Sequence, residues 1–448
     1  MLFLSALIAP LTFVRPRAGI FLLAFLLAFM PRYLGLGVGD AGFALTPRRM
    51  AIVAGMLGLL AVVALRPDIL RRAVAIGLRN KLIILLVLSL YVVKLLATVA
   101  NSGVGVNIFY VFDDFVVSLV PAIGVLMLVR SERDEALLIT IIVMAMIFSA
   151  MLAAIETAKG EVLLQGFVSV SVEEAGRGGL MGLMRDEAYR AKALFDNPLL
   201  LAEFVCIAWP WAIYLWMSGR HELQRWTGLV GCMVAPLAIF LAHTRSGWLV
   251  FVLGCVAYLV LRVWDRSSRV ARWPIAFSTV TAFAAAGALA VNVVVDLVRN
   301  AAAGAVGVAS IVERLEQFVV VAIAWRDSPL LGYGMTRNFG QDLDFLNHID
   351  NYWLRLMLEG GAVLFVLFML LAVRVITATA RERTSAPTLE CRLFMTAALV
   401  SLGSFLAYKL FLSMPTNNVY FFIVVALVMR RIYWIQKVRH HARLALSQ

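Results

Sequence analysis

Apolar runs of roughly 17–25 residues, the length an α-helix needs to cross a bilayer, recur along the whole of this 448-residue chain. The runs lack the period-two alternation of a barrel strand. The expected fold is therefore all-α: a polytopic integral membrane protein, one transmembrane domain over 1–448, with about 12 spanning helices. Spans are placed near 18–34, 49–65, 82–98, 114–130, 136–157, 195–217, 226–242, 246–263, 273–297, 351–375, 392–411 and 417–435. Composition agrees, with 62% apolar residues and a mean hydropathy of +0.90, well above a soluble domain. Residues 2–14 are apolar but short and contain Pro10, so they read as a partial or re-entrant helix paired with the next span. They make a poor signal peptide, because no basic stretch precedes them and Arg15 and Arg17 follow.

Lys and Arg set the orientation. With the C-terminus in the cytoplasm, 24 of the 40 basic residues fall in inward loops. The net charge of +13 is thus mainly a topology signal, and scattered basic residues argue against a nucleic-acid partner. The tail from Arg430-Arg431 to His440-His441 is expected against anionic lipid headgroups. Cys206, Cys232 and Cys255 lie in apolar spans and Cys391 at an inward edge, with no disulfide or zinc spacing. The five histidines show no metal-ligand spacing, so neither metal nor cofactor is expected.

Inward loops are short, whereas two outward loops, 158–194 and 298–350, are long; loops of that length usually carry function. The second holds an amphipathic helix candidate from Ser310 to Ala324, with Ile311, Leu315, Phe318, Val319 and Ala322 as its apolar positions.

Unusual polar groups gather in the outer halves of the spans: Lys94, Glu203, Arg355, Glu359 and Lys409. The inner halves look plain. Charges in a span face a protein interior or a watery cavity, so one polar cavity open to the outside, also walled by Arg185 and Asn351, is the simplest synthesis. The plainer readings stand beside it. Arg355 and Glu359 can pair as i,i+4 neighbours, and Lys94 and Lys409 can snorkel to headgroups.

Three cationic positions suit phosphate oxygens. Arg190 and Lys192 precede the helix start at Phe195-Asp196-Asn197-Pro198, and Arg245 sits in an outward turn, Thr244-Arg245-Ser246-Gly247-Trp248, where positive charge is otherwise disfavoured. Gly247 permits close approach of backbone or ligand. Where the second long loop enters a span, His348 and Asp350 are candidate bases. Asp350 also stands where a helix N-cap belongs, and Asn347 could serve likewise.

These segments resemble the O-antigen polymerase and O-antigen ligase superfamily of bacterial envelope enzymes. Residues 190–198 are similar to the family's Arg-x-x-Gly-x-Phe-x-x-Pro run, with Ala193 in place of Gly. The turn at 244–249 resembles its Ser-Arg-(Gly/Ser) turn. Arg314, then Pro329-Leu330-Leu331-Gly332-Tyr333-Gly334, then His348 to Gly361 resemble its long outer signature. The run Ile349-Asp350-Asn351-Tyr352-Trp353-Leu354 is closer to exopolysaccharide polymerase members than to the His-Asn or His-Ser of ligases.

The resemblance implies a metal-independent glycosyltransferase of GT-C type in the bacterial inner membrane, with its active site facing the periplasm. Its donor is a glycan on undecaprenyl pyrophosphate, and its acceptor another glycan (polymerase) or lipid A-core (ligase). A flippase and a chain-length regulator are the implied protein partners. Arg190, Lys192, Arg245 and Arg314 are then expected on the pyrophosphate, and His348 or Asp350 as the base. A lipid-linked glycan transporter is the remaining alternative, weakened because the polar groups lie away from the midplane.

Overall fold

The computed structural model describes residues 5–31, 36–38, 43–102, 106–163, 184–185, 188–267, 306–335 and 349–446. Helices dominate it. Short α1 (Ile8–Val14) and α2 (Pro16–Phe29) lead through an antiparallel strand pair, β1 (Leu36–Val38) and β2 (Phe43–Leu45), to α3 (Pro47–Leu65). Then come α4 (Pro67–Arg79), α5 (Lys81–Ser102), α6 (Val106–Leu128) and α7 (Glu132–Lys159). A two-residue strand pair, β3 (Met184–Arg185) and β4 (Ala188–Tyr189), precedes α8 (Pro198–Ser218), α9 (Glu222–Leu241) and α10 (Arg245–Arg266). The chain closes with α11 (Val306–Trp325), α12 (Tyr352–Thr384), α13 (Leu389–Tyr408) and α14 (Asn418–Leu446).

Among the described residues, ten helices are long and apolar enough to cross a membrane. They match ten of the expected spans. The eleventh, at 18–34, is the shorter α2, and the twelfth, at 273–297, lies outside the described residues. The protein is an all-α, multi-pass membrane protein. Residues 8–14 form a seven-residue helix packed against α2 and α3, too short to span.

Burial identifies the centre. α8 and α14 bury 83% and 89% of their spanning windows, whereas α10 buries 28%. Accordingly α8 packs against α7, α9 and α13, and α14 against α6. Apolar residues remain exposed around the periphery, among them Leu85 and Leu88 on α5 and Val252 and Leu259 on α10. This is the surface a bilayer covers.

The inner end is not plain. Ser131 and Asp134 form a capping box at the start of α7 and bring Glu132 and Glu135 into its first turn. Arg431, 1% exposed, bonds Glu132 at 2.7 Å and Glu135 at 2.6 Å, and Arg430 reaches Glu135 at 3.3 Å. The expectation that Arg430 and Arg431 face headgroups is therefore corrected: they staple α14 to α7. The inward segment 66–81, expected as a plain loop, contains α4, whose Ile69 and Ile76 are buried while Arg71 and Arg79 are exposed.

Candidate functional site

The segment before α8 is shaped by one carboxylate. Glu156, near the end of α7, accepts the backbone N–H of Lys192 (3.1 Å) and of Ala193 (2.8 Å) on Oε2. These bonds hold Ala193 at φ +49, in the left-handed region. Glycine enters that region without strain. Replacing Ala193 by Gly is expected to raise stability by about 0.5–1 kcal/mol, since relief of about 1–2 kcal/mol outweighs the entropy glycine loses. The measurement is the thermal midpoint in detergent, and a lower midpoint would refute the account.

The same turn is tied to the next helical pair. Ala191 N–H donates to the carbonyl of Leu241 at 3.0 Å. Four residues later, Arg245 opens α10 with an exposed side chain. Arg190 and Lys192 are half-buried, and burial lowers the pKa of Lys192 against the opposing pull of Asp196 and Glu156. Gly247 serves a helix contact: a Cβ there would stand 3.0 Å from Ala202 Cβ on α8 and 2.3 Å from Thr244 Oγ1. The side chains of Arg185, in β3, and Arg314, in α11, lie outside the described residues, as does His348.

At the mouth of α12 the cap is Asn351 rather than Asp350, and Asn347 lies outside the described residues. Its Oδ1 accepts Trp353 N–H at 2.9 Å and Leu354 N–H at 3.4 Å. This use of Asn351 leaves it 8% exposed, which corrects its expected place on a cavity wall. Asp350 is exposed, and its backbone N–H donates to Gln317 Oε1 of α11 at 3.1 Å.

α11 packs through residues beside its apolar stripe. Val321 and Ala324 are buried against Ile349, Leu354 and Leu358, while Phe318 and Val319 are 51% and 60% exposed. Buried Gln317 bonds the chain before α12 and helps to fix the rotation of the helix.

The membrane-embedded charges are paired rather than open. Lys409 and Glu203, each 0% exposed, meet at 2.9 Å. Glu203 Oε2 also accepts Asn417 Nδ2 (2.7 Å), and Lys409 Nζ donates to Met414 O (2.7 Å). Neither residue lines an open cavity and Lys409 does not snorkel, so both expectations are corrected. Arg355 binds Glu359 at 2.6 Å, the plain i,i+4 pairing, with the guanidinium still partly exposed. Lys94 is buried against Asp114 at 2.7 Å, a partner that the sequence reading missed. It borders a void of about 10 Å³ with Tyr91, Tyr352 and Asn418.

These pairs draw the functional segments to one end of the bundle. Tyr352 N–H donates to Lys409 O (3.0 Å), and Asn197, which caps α8, donates to Met414 Sδ at 3.2 Å. The 190–197 turn, the start of α10 and the start of α12 therefore share that end. Among the described residues, no three His, Cys, Asp or Glu side chains gather as a metal site requires.

The Pro-Leu-Leu-Gly-Tyr-Gly stretch builds the platform beneath. α12 breaks at Gly360-Gly361, with Gly361 at φ +62. Into the break fit Ala362 N–H to Pro329 O (2.8 Å) and Tyr333 N–H to Leu358 O (2.6 Å). α5 joins through Asn101 Nδ2 to Gly332 O (2.9 Å) and Met335 N–H to Thr98 Oγ1 (2.9 Å). A Cβ on Gly361 would lie 2.2 Å from the Leu330 carbonyl. Gly361→Ala is expected to destabilise by about 3–5 kcal/mol, strain and clash together. Monodisperse protein with an unchanged melting point would contradict this. The only sequence signal was a Gly pair inside a long apolar run.

A comparison with curated proteins finds no match. Residues 230–369, under a third of the chain, match the family model described as O-antigen ligase. The matched stretch contains Arg245, the whole of α11, the Pro329–Gly334 platform and the start of α12 with Asp350. Through this segment the chain is similar to the O-antigen polymerase and ligase superfamily of membrane enzymes.

Proposed function

We propose that this protein is a polysaccharide polymerase that joins undecaprenyl-pyrophosphate-linked oligosaccharide repeat units on the outer face of the bacterial inner membrane. The observation that carries this reading is the Ala191–Leu241 backbone bond. It couples the Arg190-Lys192 turn to the Arg245 turn, at the end of the bundle where Asp350 is exposed. A lipid-linked donor brings its pyrophosphate to headgroup depth, where guanidinium forks bind it bidentately.

In the proposed reaction Arg190, Lys192, Arg245 and Arg314 hold the pyrophosphate. Asp350 or His348 takes the proton of the acceptor hydroxyl, whose oxygen bonds to the donor C1 with inversion. The bond from C1 to the phosphate oxygen breaks, and undecaprenyl pyrophosphate leaves with its charge stabilised by the cations. No metal is required in this scheme, because the arginines supply the positive charge.

The Ile349-Asp350-Asn351 string favours polymerase over ligase. The purified protein, incubated without metal with an undecaprenyl-pyrophosphate oligosaccharide, is expected to yield a ladder of longer lipid-linked glycans. Transfer to lipid A-core without lengthening would assign it as a ligase instead.

A further inference from the structure

A cavity of about 220 Å³ opens at the opposite end of the bundle, between the end of α4, the far part of α12 and α14. Four guanidinium side chains line it, Arg79, Arg374, Arg381 and Arg439, together with a single carboxylate, Glu382. Arg439 holds that carboxylate at 2.9 Å. Arg374 Nε is buried and has no hydrogen-bond partner among the described residues. Asn80 also lines the space and starts α5, its carbonyl accepting Ile83 N–H at 2.9 Å. Clustered cations around a partly enclosed space repel one another unless an anion sits among them.

Depth and surroundings narrow the anion. Arg374 lies 22 residues beyond Tyr352 on α12. Allowing for the break at Gly360-Gly361, about 1.5 Å per residue makes that at most about 33 Å, comparable to the roughly 30 Å hydrocarbon thickness. It therefore reaches the headgroup layer of the side read as cytoplasmic. Leu370 and Val373 just before it are 50% and 53% exposed, and Leu78 and Leu82 flank Arg79 and Asn80 at 69% and 47%. Lipid-facing apolar surface therefore runs up to the cavity on both sides.

We propose that this cavity binds the phosphate of an anionic phospholipid. The headgroup sits among Arg79, Arg374 and Arg381, and the acyl chains lie along Leu370, Val373, Leu78 and Leu82. Planar guanidinium forks match phosphate oxygens, and basic pockets between transmembrane helices suit such headgroups. Free phosphate shares the headgroup chemistry but has no use for the apolar flanks. The site stands apart from the outer-face reaction and does not depend on it.

The test uses the full-length protein in neutral detergent, with bound lipid read by native mass spectrometry. Dioleoyl phosphatidylglycerol is expected to be retained over dioleoyl phosphatidylcholine by about tenfold or more. The double variant Arg374→Gln, Arg381→Gln is expected to lose that preference, and Arg374→Lys, Arg381→Lys to keep most of it. If the Gln double variant melts early in phosphatidylcholine micelles, the exposed Arg381→Gln alone is read in the same way. Equal retention of both lipids, or a preference unchanged by the Gln variants, overturns the site. Millimolar inorganic phosphate that displaces phosphatidylglycerol completely overturns the lipid as its occupant.

Discussion

Arg245→Ala is expected to lower the yield of polymerised glycan by roughly 10²–10³-fold, the usual cost of removing one preorganised charge-stabilising donor from a transition state. The physical ground is its position. Arg245 is exposed at the start of α10, and the backbone bond from Ala191 to Leu241 holds its turn beside the Arg190 turn. A cation at a helix N-terminus opposes the helix dipole, so the residue costs stability there and its removal leaves folding intact. Arg245→Lys keeps the charge but loses the fork, and an intermediate yield is expected. The purified assay with sized products separates the outcomes. Normal yield and length with Arg245→Ala would remove this residue from the pyrophosphate clamp.

Glu203→Ala is expected to destabilise the protein by about 3–5 kcal/mol, because it leaves the Lys409 ammonium buried without its carboxylate. The pair lies at 0% exposure on both sides, where α8, α13 and the 409–417 segment meet. Glu203→Gln with Lys409→Met removes both charges and keeps most of the volume. Replacing a buried ion pair by groups of similar shape is often neutral, so this double variant is expected to recover most of the loss. Melting of the purified variants in detergent gives both numbers. A double variant as unstable as Glu203→Ala, or a single variant that folds normally while activity disappears, would return the pair to a catalytic cavity.

The spans were legible because apolar length is a local property of sequence, and ten of them fell where expected. Charge partners were not local. Lys94 finds Asp114 on the neighbouring helix, and Arg431 finds Glu132 and Glu135 across the whole fold. Periodicity cannot specify such meetings. The role of Asn351 was missed by one residue, since Asp and Asn both cap and only backbone geometry selects between them. The left-handed turn at Ala193 was visible only as a departure from a Gly-bearing pattern, and its cause, Glu156, stands 37 residues away in sequence. On α11, apolar spacing was real but marked the outer face, and a polar contact through Gln317 helped to set the rotation.

Main-chain bonds close the seam at Gly360-Gly361, braced by side chains of α5 and by Trp325, Ser328 and Tyr333. Leu330 stays 66% exposed and Leu331 37% exposed, while the Leu330 carbonyl accepts Val363 N–H at 3.4 Å. Such a joint is indifferent to what those two residues carry. Side chains on the rim can therefore be exchanged, and the rim's shape re-cut, without loosening the frame that holds the mouth of α12.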